Sequence, residues 1–144
     1  MFSKACEYGI RAIIYIATES LESRRVKIGD VAENTGSPEA FTAKILGLLT
    51  RHHIVNSLKG PYGGFEISLS RMRQIRLSDI VFAIDGDSIY RGCALGLSEC
   101  NAAEPCPMHE KFVKVRSDLK KMLETTTVFD LATKLKSGES ILLR

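Results

Sequence analysis

The segment from Ile28 to Leu69 restricts the fold more than any other part of the chain, because two helical patterns separated by one glycine run straight into a glycine-rich hairpin. Ile28, Val31 and Ala32 form one apolar face, and Gly36 ends that helix just past Asn34. Ser37-Pro38-Glu39 opens a second helix, with Ser37 expected as N-cap and Pro38 at the first helical position, where a missing N–H costs nothing. Phe41, Ile45, Leu48 and Leu49 supply its buried stripe. Helix, tight turn and helix at this length is a helix-turn-helix. Ile54-Val55 and Phe65 to Leu69 then read as two short strands around the tip Lys59-Gly60-Pro61-Tyr62-Gly63-Gly64. A hairpin in that place is a wing. Its glycines let the backbone come close to another surface, and Lys59 can reach a phosphate or enter a narrow minor groove. A hairpin with permissive glycines and no ligand fits the same residues; a nucleotide cradle does not, because no Gly-Lys-Ser/Thr ends the run.

Around this segment the pattern is helical throughout. After Ser3, residues Ala5, Tyr8, Ile10, Ala12, Ile13, Ile16 and Ala17 recur at helical intervals to about Ser20. Another helix spans Leu77 to Ile84 and is broken by Asp85-Gly86-Asp87-Ser88. Pro107 then restarts a helix in which Met108, Phe112, Val115, Leu119 and Met122 mark one apolar stripe. Thr125 to Leu135 reads as a last short helix and Lys136 to Arg144 as a mobile tail. The expected architecture is therefore mostly α with a small β wing. Residues 1–76 are expected to form a winged helix-turn-helix DNA-binding domain, and residues 77–144 a loop with dimerisation helices, the long amphipathic helix having little intrachain core to cover unless it packs back on the winged half.

With 144 residues, 44% of them hydrophobic, the chain has the material for one ordinary core. No run approaches the roughly 20 apolar residues of a membrane span, and the N-terminus lacks the apolar stretch of a secretion signal, so a reducing cytoplasm is expected. Charge is unevenly distributed. Residues 1–76 carry 11 Lys or Arg against 7 Asp or Glu, whereas residues 77–144 carry 9 against 10. A positive excess on the reading half suits a phosphate-binding surface, although a solvated basic face accounts for it equally well.

Three of the four cysteines crowd one loop, Cys93, Cys100 and Cys106, with His109 three residues beyond the last. Soft thiolates at short intervals suit an iron-sulfur cluster or zinc better than packing, and a reducing compartment argues against disulfides. Three thiolates leave one ligand to find, and His109, one helical turn past Cys106, is the nearest. Zinc as Cys3His is allowed by the donor set, though the spacing is looser than in most zinc modules. Bare-thiol sensing and a Cys106–His109 nucleophile pair are further readings. Against catalysis stand the lack of a Ser-His-Asp set, of paired carboxylates and of a nucleotide fingerprint. Cys6, far from the others, reads as a small core residue.

Tyr8-Gly9-Ile10-Arg11-Ala12, the Val31-Ala32 helix, the Phe41 to Leu49 helix, the Lys59 to Phe65 wing, Leu77-Ser78-Asp79-Ile80-Val81 and the cysteine loop, in that order, resemble the Rrf-type bacterial transcriptional regulators over nearly the whole chain. The resemblance implies a winged-helix homodimer bound to a double-stranded DNA operator, with a 2Fe-2S or 4Fe-4S iron-sulfur cluster on the cysteines. Repression is the commoner behaviour in such a family, and nitric oxide, oxygen and iron or cluster supply are the candidate signals. Glu7 aligns with the position from which, in the family's nitric-oxide sensor, an acidic side chain of the other subunit reaches the cluster, so it rivals His109. As a lone residue it reads equally as a solvated carboxylate at a helix start. Groove-facing residues are expected at Ser37, Glu39, Thr42 and Lys44, with Lys59, Gly60, Tyr62 and Gly63 in the wing. Two departures stand out. Lys59 replaces the family's usual Arg, keeping the charge but losing the planar fork. Ala43 occupies the place of a base-reading polar side chain, so no operator sequence carries over. His52 and His53 are expected to interact with the dipole at a helix C-terminus.

Overall fold

In the computed structural model, which describes residues 1–142, the Ser3 side chain opens the first helix by accepting the Cys6 N–H at 3.1 Å. Helices α1 (Lys4–Leu21), α2 (Ile28–Thr35) and α3 (Glu39–Arg51) lead into a two-stranded antiparallel sheet of β1 (Asn56–Leu58) and β2 (Gly64–Glu66). Helices α4 (Leu69–Gln74), α5 (Leu77–Asp85), α6 (Ser88–Arg91), α7 (His109–Thr125) and α8 (Val128–Ser137) follow. This is the expected mostly helical winged fold. Among the described residues, no helix is long and apolar enough to cross a membrane.

The core is built on α1, whose apolar residues face α2, α3, α5 and α8 at once. Ile13 and Ile16 are fully buried there beside Leu46 and Leu49 of α3, Ile80 and Val81 of α5, and Val128 of α8. Side chains of that size stabilise the fold by about 1.5–3 kcal/mol each when taken out of water. Cys6 lies in this core with no exposure, as expected. The same core crosses the junction at Arg76 and Leu77. Leu77 N–H donates to Thr126 O at 3.0 Å and Val128 N–H to Ile75 O at 2.9 Å, so the C-terminal helix is laced to the middle of the chain.

Several local expectations need correction. Pro38, not Ser37, is the N-cap of α3, and no side chain caps that helix. Ile54 and Val55 are buried connectors, with the first strand starting only at Asn56. The second strand ends at Glu66, because the Ser68 hydroxyl accepts the Arg71 N–H at 3.3 Å and starts the unforeseen helix α4. The last helix begins at Val128, where Thr127 and Asp130 form a capping box. It runs through Ser137, with Lys136 Nζ 2.8 Å from Glu22 Oε1, so the expected tail starts too early. Of that tail, Leu143 and Arg144 lie outside the described residues.

Helix α7 behaves differently. Leu123 is its one buried residue, while Met108, just before it, and Val115 and Met122 on it are 37%, 54% and 46% exposed. Phe112 and Leu119 of the same stripe are half-buried, Leu119 against the core, so the chain covers this stripe only in part.

At the end of α3 the chain turns through a Schellman arrangement, in which His53 N–H reaches Thr50 O and Ile54 N–H reaches Leu49 O, each at 3.0 Å. The turn puts His53 at φ 58°, a left-handed conformation that disfavours any side chain. His52 is the C-cap. Replacing the exposed His53 by glycine relieves that strain. His53→Gly is expected to stabilise the protein by about 1 kcal/mol, read as a higher urea midpoint with an unchanged slope.

Candidate nucleic-acid interface and thiol loop

The turn between α2 and α3 is held by Gly36 in the left-handed region, with Gly36 N–H on Glu33 O and Ser37 N–H on Ala32 O. From there α3 exposes Glu39, Ala40, Ala43, Lys44 and Arg51 and buries Thr42, Ile45, Leu46 and Leu49. Beyond Glu39 at its start, the outward face is small except for two cations, a shape that lets a helix backbone enter a groove closely.

Two expected contacts turn inward. Ser37 and Thr42 are both buried, their hydroxyls hydrogen-bonded to each other, and Thr42 Oγ1 donates to Pro38 O at 2.9 Å. This pair fastens the start of α3 from inside and leaves no free hydroxyl for a base. Glu39 is exposed, yet its carboxylate lies over the first turn of α2, 3.8 Å from where a side chain on Gly29 would begin. Lys44 projects freely.

The wing is pinned to the α1–α2 connection. Val26 and Phe65 exchange backbone hydrogen bonds at 3.2 and 2.8 Å. Arg25 Nε lies 2.9 Å from Glu66 Oε2, and Lys27 Nζ donates to Gly60 O at 2.7 Å. Lys59, Gly60 and Tyr62 remain exposed at the tip, Tyr62 at 89%. Gly63 is buried, which corrects its expected place on the contact surface. A Cβ there would stand 2.1 Å from Leu58 O, so glycine is required for the hairpin to close on itself. None of Arg25, Lys27 or Gly63 advertises this bracing role in sequence.

Cys93, Cys100, Cys106 and His109 line one small cavity of about 160 Å³, together with Leu97, Glu99, Asn101 and Glu104. The donors surround a volume. Among the described residues no three His, Cys, Asp or Glu side chains meet closely enough to hold a single metal ion. Cys106 O accepts the His109 N–H at 3.0 Å, which turns the chain into α7 and brings the imidazole Nδ1 to 3.4 Å from Cys100 Sγ. Backbone N–H groups of Leu97 and Leu95, aided by Gly96 and the charge of Arg116, hold the Cys93 thiol below its ordinary range. Burial, with Asp85 and Glu7 nearby, pushes the Cys6 thiol up to about 12. Glu7 sits on α1 with its carboxylate 3.3 Å from Lys4 Nζ and does not line the cavity of its own chain.

One contact escaped the sequence reading. Arg116 Nη2 lies 3.1 Å from Cys100 Sγ, on the face of α7 that also carries His109. The seven-residue interval between them, two helical turns, was the available signal.

The family model described as Rrf2, iron-dependent transcriptional regulator, matches residues 2–134. A protein of Aquifex aeolicus (strain VF5), named as an HTH-type transcriptional regulator, is 30% identical over 133 residues, which cover 91% of this chain and 90% of that one. CymR, described as the global cysteine regulator of B. subtilis, has a solved structure with a TM-score of 0.74 at 23% identity, covering 92% of this chain and 96% of its own. IscR of T. potens gives 0.73 at 18% identity, covering 98% and 92%. These two structures share the winged-helix fold.

Two outcomes follow from the geometry. In iron-free protein, iodoacetamide is expected to label three thiols under native conditions and Cys6 only after unfolding, counted by intact mass. Gly63→Ala imposes backbone strain of about 1–3 kcal/mol on the wing. It is expected to weaken duplex binding about tenfold while circular dichroism of the helices stays the same.

Proposed function

This chain belongs to the Rrf2 family of transcriptional regulators, and on that premise we propose that it is a homodimeric, operator-binding repressor. In this reading its grip on DNA is set by an iron-sulfur cluster on Cys93, Cys100 and Cys106, with His109 as fourth ligand. The observation that carries it is the single cavity lined by three thiols and an imidazole, while the fourth cysteine is shut in the core.

The donor set fits the group. Thiolate sulfur is the usual ligand of iron-sulfur clusters, an imidazole leaves one iron more open to small molecules, and ligands spread round a volume suit a multi-atom centre better than one ion. When bound, the cluster supplies a site that nitric oxide, oxygen or iron shortage can alter. The chain's own residues do the rest. Leu95 and Leu97 N–H groups stabilise negative sulfur at Cys93, and the Cys106–His109 turn ties the loop to α7. Glu7 from a second copy is the rival fourth ligand.

Met108, Val115 and Met122 recur every seven residues on an uncovered face, the spacing with which two helices bury a shared seam. A twofold pair would set two α3 helices about 34 Å apart, one turn of duplex DNA. Lys44 and Arg51 on α3 and Lys59 and Tyr62 on the wing are the proposed DNA contacts, with backbone support from Gly60. A second reading has its own observation. Cys100 lies between an imidazole and a guanidinium, a setting that also suits cluster-free thiol sensing. Either sensor acts on a DNA regulator and not on an enzyme.

The test is anaerobic purification with iron, sulfide and visible-absorption measurements, followed by gel shifts on a duplex selected from random-sequence DNA. The loaded and iron-free forms are expected to differ about tenfold or more in affinity, and Cys106→Ser to abolish the colour. Equal affinities for the two forms would sink the cluster switch. A colourless wild type whose binding still changes on thiol oxidation would move the assignment to the second reading.

A further inference from the structure

We infer that Arg116 is a positioning residue of the thiol loop, holding the ligand-bearing segment in its working shape from the side of α7. Its guanidinium addresses three acceptors. Nη1 donates to Gly92 O at 3.3 Å, Nη2 to Cys100 Sγ at 3.1 Å, and Nε to Phe112 O at 3.4 Å. The last contact fixes the side chain against its own helix, and the other two seize the loop at points eight residues apart.

Residues 93–108 contain no helix or strand, and the three thiols in them are only half-buried, so few contacts define the segment. A flexible loop must lose conformational entropy before its donors can meet a ligand. A clamp already in place removes part of that cost. Arginine suits the task because its donors form a rigid planar fork, whereas lysine offers one point charge on a flexible stem. The second consequence rests on the cluster reading given above. A cationic donor on a ligating sulfur stabilises the more negative, reduced state and moves the reduction potential upward.

Both halves are testable on the full chain. In iron-free protein, hydrogen exchange over residues 93–106 is expected to speed up about tenfold in Arg116→Gln, the loss of a charge-assisted hydrogen bond. Arg116→Lys, which keeps the charge without the fork, is expected to fall between that variant and wild type. Exchange in α1 and α3 serves as the control for an intact fold. Loop exchange equal in Arg116→Gln and wild type overturns the clamp. After reconstitution, Arg116→Gln is expected to show a more negative midpoint potential than wild type and Arg116→Lys, and identical midpoints overturn the sulfur contact. If wild type takes up no iron or sulfide, the cluster reading fails, and the exchange result still decides the clamp alone.

Discussion

The packing of α1 against both α3 and α5 holds the arrangement together, and Gly9 sits where the two contacts meet. A Cβ at this position would stand 2.4 Å from Ile84 Cδ1 of α5 and 3.3 Å from Ile45 Cγ2 of α3. The missing side chain therefore lets one helix touch the reading helix and the helix that leads to the cysteines. Around it, the Tyr8 and Phe41 rings meet edge to face at 5.6 Å. Ser3 reinforces the same junction, since its hydroxyl also hydrogen-bonds the Asp85 carboxylate, with contacts of 2.7 and 2.8 Å, at the end of α5. A displacement of the loop after α5 has a short, packed route to α3, and dense packing transmits small shifts without absorbing them.

The two functional surfaces are built on opposite principles. The proposed DNA-facing side is firmly held, because Gly36, the Ser37–Thr42 pair and the Arg25 and Lys27 contacts fasten α3 and the wing. The thiol loop has almost no internal structure and depends on α7, through the His109 turn and Arg116. In the function proposed above, a firmly held reader joined to a sparsely held loop is the combination a switch requires, since the element that moves must come from the low-stability end of the fold.

Much of the fold was legible because period and punctuation agree. Ile13, Ile16 and their neighbours repeat at helical spacing, Gly36 breaks the α2 pattern and three further glycines, Gly60, Gly63 and Gly64, mark the wing tip. The boundaries that failed did so where a side chain overruled propensity. Ser68 caps a helix in a stretch whose alternation looks like strand, and Thr127 with Asp130 moves the start of α8 by capping the backbone later than the apolar pattern begins. At the interface, Ser37 and Thr42 have the chemistry of base readers, but their hydroxyls satisfy each other. Exposure cannot be read from residue type when a polar group has a nearby partner of the same kind.

Residue order alone determined that this chain is a winged helical fold with three of its four cysteines gathered in one loop, because periodicity, turn glycines and cysteine spacing are local properties of the chain. Tertiary structure decided which side chains face outward. It turned Thr42 and Gly63 inward, brought Arg116 onto Cys100, laced α8 to the centre of the chain and left Met108, Val115 and Met122 exposed along α7. Those outcomes depend on contacts between residues far apart in sequence, and the balance of burial and hydrogen bonding that selects them exists only once the helices have packed.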